Sequence, residues 1–385
     1  MTDHPTNDWD PRDPTVLEDQ RAAYDRMRDR RPVAHSDFLG WSLFRHADVT
    51  AAATDHERFR SATRRTAVPN GMDPPDHTTY RAALQPAFTP EAIGRFAERC
   101  AEIAGSLLDR ATREESVEII ADLVNPYAHQ AVCAFMGWPV EDWNRVSRWT
   151  HGNQEAAFKR DREAGAALAA EFAAYVTAIL EARRDGSEAI DLMGTLVRTA
   201  VDGRALTDEE IVSALRTWTA GHGTVAGALG LVIRALAEDI ALQDRVRAEP
   251  GLIDAAIDEI LRADGPLVSN NRTAAVDVAV GGRTIRAGDR VSLMWIAANR
   301  DPEAVDDPDA IDLDRDRSGN LLFGTGIHRC LGEPLARMEL RVAVAELLRR
   351  TGRFEIIGPA QPARHVYPSN GLWALPLRLR ARDPS

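Results

Sequence analysis

Through most of the chain up to about position 260, apolar residues recur at three- and four-residue spacing, the period of an amphipathic helix. Helices are predicted on that ground over Val16 to Arg30, Pro90 to Arg113, Leu123 to Met136 and Ala166 to Arg184. A β-like patch, Val33 to Phe44, interrupts them early. Beyond Arg262 the texture changes to short runs rich in β-branched residues: Val276 to Val280, Thr284 to Arg286 and Val291 to Trp295. Gly281-Gly282 and Ala287-Gly288-Asp289 separate them and read as hairpin turns. One more helix, from about Pro334 to Arg350, and two terminal strands around Phe354 to Ile357 and Leu372 to Leu379 complete the chain. The fold class expected is mainly α with a minor β region.

Asp208 to about Asp239 carries the clearest helical signal. Thr207 with Glu210 three residues on is a capping box. Ile211, Leu215, Trp218, His222, Val225, Leu229, Val232 and Leu236 form one seam more than seven turns long, so burial is predicted. A second stripe, Thr217, Gly221, Thr224 and Ala228, is made of small residues. Glycines 221, 223, 227 and 230 lie inside this helix, each costing up to ~1 kcal/mol relative to alanine. Either tight helix packing or something large and flat must come close there.

The chain has 385 residues, 44% hydrophobic and 28% charged, which excludes a disordered or collagen-like polymer. No run of ~18 uninterrupted apolar residues marks a membrane span. Residues 1–15, rich in Asp, Pro and Asn, read as a disordered leader without a secretory signal. A single domain is expected over 16–385, in the cytoplasm. The net charge of −12 argues against a nucleic-acid or anionic-lipid partner. Lys159 is the one lysine among 47 basic residues, which reads as codon bias. Cys100, Cys133 and Cys330 are too far apart for a disulfide framework or a paired zinc site, so a cysteine that matters acts alone.

That cysteine is Cys330, in Phe323-Gly324-Thr325-Gly326-Ile327-His328-Arg329-Cys330-Leu331-Gly332, a glycine-rich loop directly before a helix. Backbone N–H groups and the positive helix end are expected to favour a thiolate, which suits a soft metal centre with one protein ligand. The loop resembles the haem-binding signature F-x-x-G-x-H/R-x-C-x-G of the cytochrome P450 family. The resemblance runs from about Arg21 to the C-terminus. Glu259-Ile260-Leu261-Arg262 is similar to the family's E-x-x-R, completed by Arg315, with a structural role implied. Asp73-Pro74-Pro75-Asp76-His77-Thr78-Thr79-Tyr80-Arg81 resembles D-P-P-x-H-x-x-x-R. His77, Arg81, Arg272 and His328 are thereby implied as partners of the haem propionates, and Phe323, Gly324, Gly326 and Gly332 as the rest of the cofactor loop.

By the same resemblance Ala220-Gly221-His222-Gly223-Thr224-Val225 is the segment over the haem where dioxygen binds, with Thr224 as the threonine that guides protons. Gly223 departs from the family's acid and Val225 from its second hydroxyl. Water admitted by the missing side chain, the substrate's own polar group, or peroxide in place of O2 would then complete the chemistry. His222 is either a substitute base or a packing residue of the seam. Substrate contacts are expected from Thr66 to Met72, Trp218 to Thr224, Leu267 to Asn271 and Ser369 to Trp373. Trp218 and Leu267 would be apolar walls, and Asn270, Asn271 and Asn370 polar contacts.

The resemblance implies a bacterial haem-thiolate monooxygenase with the fold of that family. Haem b (iron protoporphyrin IX) would lie between the long helix and the cysteine loop, with Cys330 on the iron. The implied reaction is hydroxylation or dealkylation of a small or medium-sized substrate. Electrons would come from a separate ferredoxin and ferredoxin reductase, for which Arg329, Arg337 and Arg341 are candidate docking residues. A monomer is expected. The alternatives are a peroxide-using or oxidative coupling enzyme on the same cofactor, and a non-enzymatic haem or ligand-binding protein.

Overall fold

The computed structural model describes residues 7–61, 67–184, 191–358, 367 and 369–381. Two short helices, α1 (Pro14–Glu18) and α2 (Gln20–Arg30), stand where one was expected. Asp19 breaks the run with φ −144° and ψ 85°, and its carboxylate accepts the Ala22 N–H at 3.1 Å. The early β patch is a hairpin of β1 (Val33–Ser36) and β2 (Gly40–Leu43). Then come α3 (His46–Thr54), β3 (Phe59–Arg60), α4 (Asp76–Leu84), α5 (Pro90–Ala111) and β4 (Ser116–Glu118). Next are α6 (Asn125–Met136), α7 (Trp143–Lys159), α8 (Arg162–Arg184) and α9 (Leu192–Arg198). The hairpin of β5 (Ala200–Val201) and β6 (Arg204–Ala205) leads into the long helix α10 (Asp208–Glu238).

The remainder is α11 (Ile240–Ala248), α12 (Ile253–Ala263), β7 (Ser269–Ala274), β8 (Val278–Val280), β9 (Arg283–Ile285), β10 (Arg290–Met294), α13 (Trp295–Ala298), α14 (Glu333–Arg350), β11 (Glu355–Ile356) and β12 (Pro376–Arg378). Gly281 and Gly282, at φ +54° and +77°, close the β8–β9 hairpin as expected. The turn at 287–289 is no hairpin. Its Asp289 carbonyl accepts from Ala274, and β10 pairs with β7 and β2 instead of β9. The main sheet therefore runs β1-β2-β10-β7-β3, and in it Val291 faces Arg272 while Leu293 faces Asn270.

Helix α10 is the centre of the larger core, packed by α6, α7, α8, α12 and α14. Every residue of the predicted seam is buried. Its capping box forms, with the Thr207 N–H donating to Glu210 Oε2 at 2.8 Å. Helices α10 and α8 both have the length and mean hydropathy (1.3) of a membrane span. In α10 that hydropathy belongs to core, whereas α8 is alanine-rich and lies largely on the surface.

The expectation of a disordered leader fails for residues 7–15. Trp9 is buried edge-on against Tyr24 and Phe44. The Asp8 carboxylate accepts from the His35 N–H at 2.8 Å and pairs with Arg31 and Arg283. Composition misled here because one aromatic and one carboxylate suffice to fasten an otherwise polar arm.

Candidate active site

A cavity of about 440 Å³ lies between α10 and the loop that precedes α14. The small-residue stripe Thr217, Gly221, Thr224 and Ala228 lines it, as does Cys330. The α10 glycines divide their work. A Cβ at Gly221 would meet nothing within 4 Å, so that position widens the cavity. A Cβ at Gly227 would stand 3.1 Å from the Asn370 carbonyl, so this glycine admits another backbone.

The cysteine loop is built by backbone conformation. Gly324 and Gly326 sit at φ +68° and +71°, where other residues are strained. A Cβ at Gly326 would also be 2.7 Å from the Ala53 carbonyl of α3. The Cys330 N–H donates to the Phe323 carbonyl at 2.9 Å and closes the loop. The Arg337 guanidinium covers the Phe323 ring at 4.8 Å. Gly332 is the N-cap residue of α14, and the Gly332 and Glu333 N–H groups bond to the sulfur. Burial nevertheless raises the thiol pKa, opposed by the Gly332 N–H and by Arg81. A coordinated cation is what deprotonates such a sulfur outright.

Two histidines and two arginines, His77, His328, Arg81 and Arg272, line or border the same cavity. The His77 and His328 rings are 4.3 Å apart, and the Nε2 atoms of both are buried without a hydrogen bond among the described residues. Burial first, then Arg272, His77 and Arg81, push the His328 pKa down to about 3. Burial, then Arg81, lower that of His77. Among the described residues, Arg272 donates only to the adjacent Asn271 carbonyl, at 2.9 Å. The described carboxylate whose charge reaches Arg272 and His77 is that of Asp73. Buried donors of this kind need an anion, and a dicarboxylate at the edge of a flat cofactor fits them.

Beside the cavity, Glu259 and Arg262 of α12 form a buried bidentate pair at 2.9 Å, and the Arg315 Nε donates to the same carboxylate at 2.7 Å. Arg262 also donates to the carbonyls of Asn299, Pro308 and Ala310. These bonds tie α12 to the segment leading into the cysteine loop.

Position 223 overturns one expectation. Gly223 is absent from the cavity lining, and a Cβ there would stand 2.4 Å from Thr150 Cγ2 and 2.9 Å from Gln154 Nε2 of α7. The missing acid leaves no opening for water, because a neighbouring helix fills the place. His222 lines the cavity and packs in the seam at once. Its Nδ1–H donates to the Trp218 carbonyl at 2.9 Å, and its Nε2 is 3.3 Å from Glu339 Oε1 of α14. Glu339 was missed in the sequence. Its signal was a carboxylate on the apolar stripe of α14, four residues after Leu335 and four before Ala343.

Among the substrate expectations, Trp218, Leu267 and Asn270 line the cavity, and the Asn270 amide oxygen is fixed by the Trp295 indole N–H at 2.9 Å. Asn271 does not line it. Neighbours on a strand point to opposite faces, and the Asn271 side chain accepts from Ser292 at 3.0 Å instead. Asn370 is a buried latch, donating to Asp264 at 2.7 Å and to the Gly265 carbonyl at 2.8 Å. Thr66 lies outside the described residues, while Asn70 and Phe88 do line the cavity. Arg329 and Arg337 are engaged by Glu333, and Arg337 also by Asp258. Arg341 is exposed.

Fold and site together define a protein that presents one cysteine to a largely apolar cavity edged by histidine and arginine side chains. A family model described as cytochrome P450 matches residues 138–361. The chain is 36% identical to the erythromycin C-12 hydroxylase of Saccharopolyspora erythraea, over 88% of this chain and 89% of that protein. It is 34% identical to the cyclomarin C epoxidase of Salinispora arenicola, over 86% and 89%. Among solved structures, a mutant of P450 EryK in complex with erythromycin B superposes with a TM-score of 0.87 at 31% identity, covering 95% of this chain and 97% of that one. CYP109E1 from Bacillus megaterium in complex with corticosterone gives 0.85 at 27% identity, covering 94% and 99%. The chain belongs to the cytochrome P450 family. It is a P450 monooxygenase of the haem-iron class, whose members act on small molecules with O2 and typically draw electrons from redox partners.

Proposed function

We propose that this protein inserts one oxygen atom of O2 into a medium-sized organic molecule, by hydroxylation or dealkylation, with haem b as its cofactor. The observation that carries this reading is a cavity lined by both Cys330 and the Thr224 stripe, bordered by His77 and His328, whose Nε2 atoms have no hydrogen bond among the described residues, and by Arg81 and Arg272. Cys330 would ligate the iron, and these two histidines and two arginines would hold the propionates. When bound, haem supplies the oxidising chemistry, for which a thiolate ligand favours O–O cleavage. Thr224, which lines the cavity, would be the local proton-guiding group. Trp218, Phe88 and Leu267 offer apolar contact, and Asn70 and Asn270 offer polar contact, which fits a substrate with a few hydrogen-bonding groups.

Electrons would come from a ferredoxin and its reductase in the cytoplasm, with the protein a monomer. Arg341 is the better placed docking residue, because Arg329 and Arg337 already pair with acids. A second reading, use of peroxide, is favoured by one observation: α7 closes position 223, so no acid stands beside Thr224. Reducing the purified protein under carbon monoxide tests the core of the proposal. The expected result is the long-wavelength absorption of a thiolate-ligated haem, lost in Cys330→Ser. Its absence from the intact pigment overturns the reading. Thr224→Ala is expected to keep this spectrum while diverting most reducing equivalents to peroxide, measured as product formed per NAD(P)H consumed.

A further inference from the structure

Asn270 and Trp295 meet where the β7–β10 ladder borders the cavity, and both line it. Leu293 of β10 stands directly opposite Asn270. Trp295, two residues further on, reaches Asn270 diagonally, a span that suits an aromatic side chain. The tryptophan is seated from two sides. Its backbone N–H donates to the Val268 carbonyl at 3.0 Å. Its ring covers Gly324 of the cysteine loop, where a Cβ would stand 3.9 Å from the six-membered part of the indole. From this seat the Trp295 Nε1–H donates to the Asn270 amide oxygen at 2.9 Å.

An indole nitrogen only donates, so this bond decides which way round the amide stands. Turning the amide over would set two N–H groups against each other. The Asn270 oxygen is therefore committed to Trp295, and the NH2 group is what remains for a ligand. It carries two donors, and no described residue accepts from either. Arg272, two residues along the same face of β7, also lines the cavity and has donors alone. The polar side chains that β7 turns to the cavity thus offer hydrogens and no free lone pair.

We propose that Asn270, oriented by Trp295, selects substrates that carry a carbonyl group, a ketone, ester or amide whose oxygen accepts from Asn270 Nδ2. This rests on the monooxygenase reading above and narrows its substrate class. A carbonyl suits the wall better than a hydroxyl does. A hydroxyl must also place its own hydrogen, and these side chains hold no lone pair for it, so a buried donor would go unpaired. Asn270 contacts the ligand, whereas Trp295 is a positioning residue that acts through it. The haem carboxylates are served by His77, Arg81, Arg272 and His328. Asn270 stands roughly 7 Å from Arg272 along the strand, in the direction of the apolar wall at Leu267. That places the amide on the substrate side of the cationic edge.

The test titrates the holoenzyme with three matched probes, cyclododecanone, cyclododecanol and cyclododecane, and reads binding as a shift of the haem absorption band. The ketone is expected to bind roughly three- to ten-fold more tightly than the hydrocarbon, the scale of one neutral hydrogen bond, with the alcohol between them. Asn270→Asp keeps one oxygen for the indole and replaces the NH2 by a second oxygen, so the ketone loses its lead over the alcohol. Trp295→Phe frees the amide to turn over, and the alcohol draws level with the ketone. Loosened packing would instead weaken all three probes alike. Equal binding of ketone and hydrocarbon by the wild type, or binding of none, overturns the proposal. So does an unchanged order of probes in Asn270→Asp. If that variant also releases its haem faster to apomyoglobin, the amide serves a propionate. Should either variant fail to hold haem, the other decides. A wild-type protein without the long-wavelength band under carbon monoxide would overturn the monooxygenase reading instead.

Discussion

At position 223 a glycine faces Thr150 and Gln154 where an acidic side chain would have to find room. A threonine methyl is stiff about χ1 and cannot swing away at low cost. Gly223→Asp is therefore expected to destabilise the protein by roughly 1–3 kcal/mol through overpacking alone, with the buried carboxylate adding to it. Gly223→Asp, Thr150→Gly should recover stability relative to the single variant. Thermal unfolding of the holoenzymes checks both. Restored coupling in the single variant without a loss of stability would contradict this geometry. The residue scale is also where the sequence was least legible. Cys330, Thr224 and the Glu259–Arg262 pair announce themselves by spacing. Glu339 and Thr150 do not, because their roles come from neighbours more than a hundred and about seventy positions away in the chain. Asn271 and Asn370 are polar letters in the expected segments, but strand alternation and a buried acceptor claim them for structure.

Among the elements, α12 depends on a charge buried in its last turns. Glu259 accepts from Arg262, Arg315 and the Asp312 N–H. Burial raises its pKa, but the two arginines prevail and the net shift is downward. A carboxylate with a depressed native pKa contributes stability that is fully present above its unfolded value of 4.5 and lost as pH falls through the native one. Glu259→Gln strands two arginines in the interior and should cost roughly 3–5 kcal/mol, read as a lower denaturant midpoint with loss of haem. The variant should also lose the part of the acid sensitivity that Glu259 brings below pH 4.5. Element identity was the most readable level: the seam and capping box of α10 hold residue for residue. The helix over 16–30 split at Asp19, and the turn at 287–289 turned out to lead into β10 beside β7. Both depend on a hydrogen bond that periodicity does not encode.

For the molecule as a whole, the histidines set an acid limit. His129 is held neutral with a pKa of about 3, against 6.5 when unfolded. Between those values the unfolded chain takes up a proton that the native core refuses, so stability falls as pH drops through this window. His129→Phe should flatten the decline between pH 6.5 and 4 in a series of urea midpoints. An unchanged slope would mean that the histidine reaches solvent. The fold class was readable as mainly α with a small sheet, since both periods are written into the chain, but the anchoring of its first residues was not. Asp8 and Trp9 reach the β1–β2 hairpin, the β8–β9 hairpin and α2 at once. The amino-terminal arm is thus a clasp over three separate pieces of chain. Shortened versions beginning at residue 14 should expose the Phe44 and Tyr24 faces, melt several degrees lower and aggregate on heating. For anyone preparing the protein, an affinity tag belongs ahead of residue 7 with every native residue behind it retained.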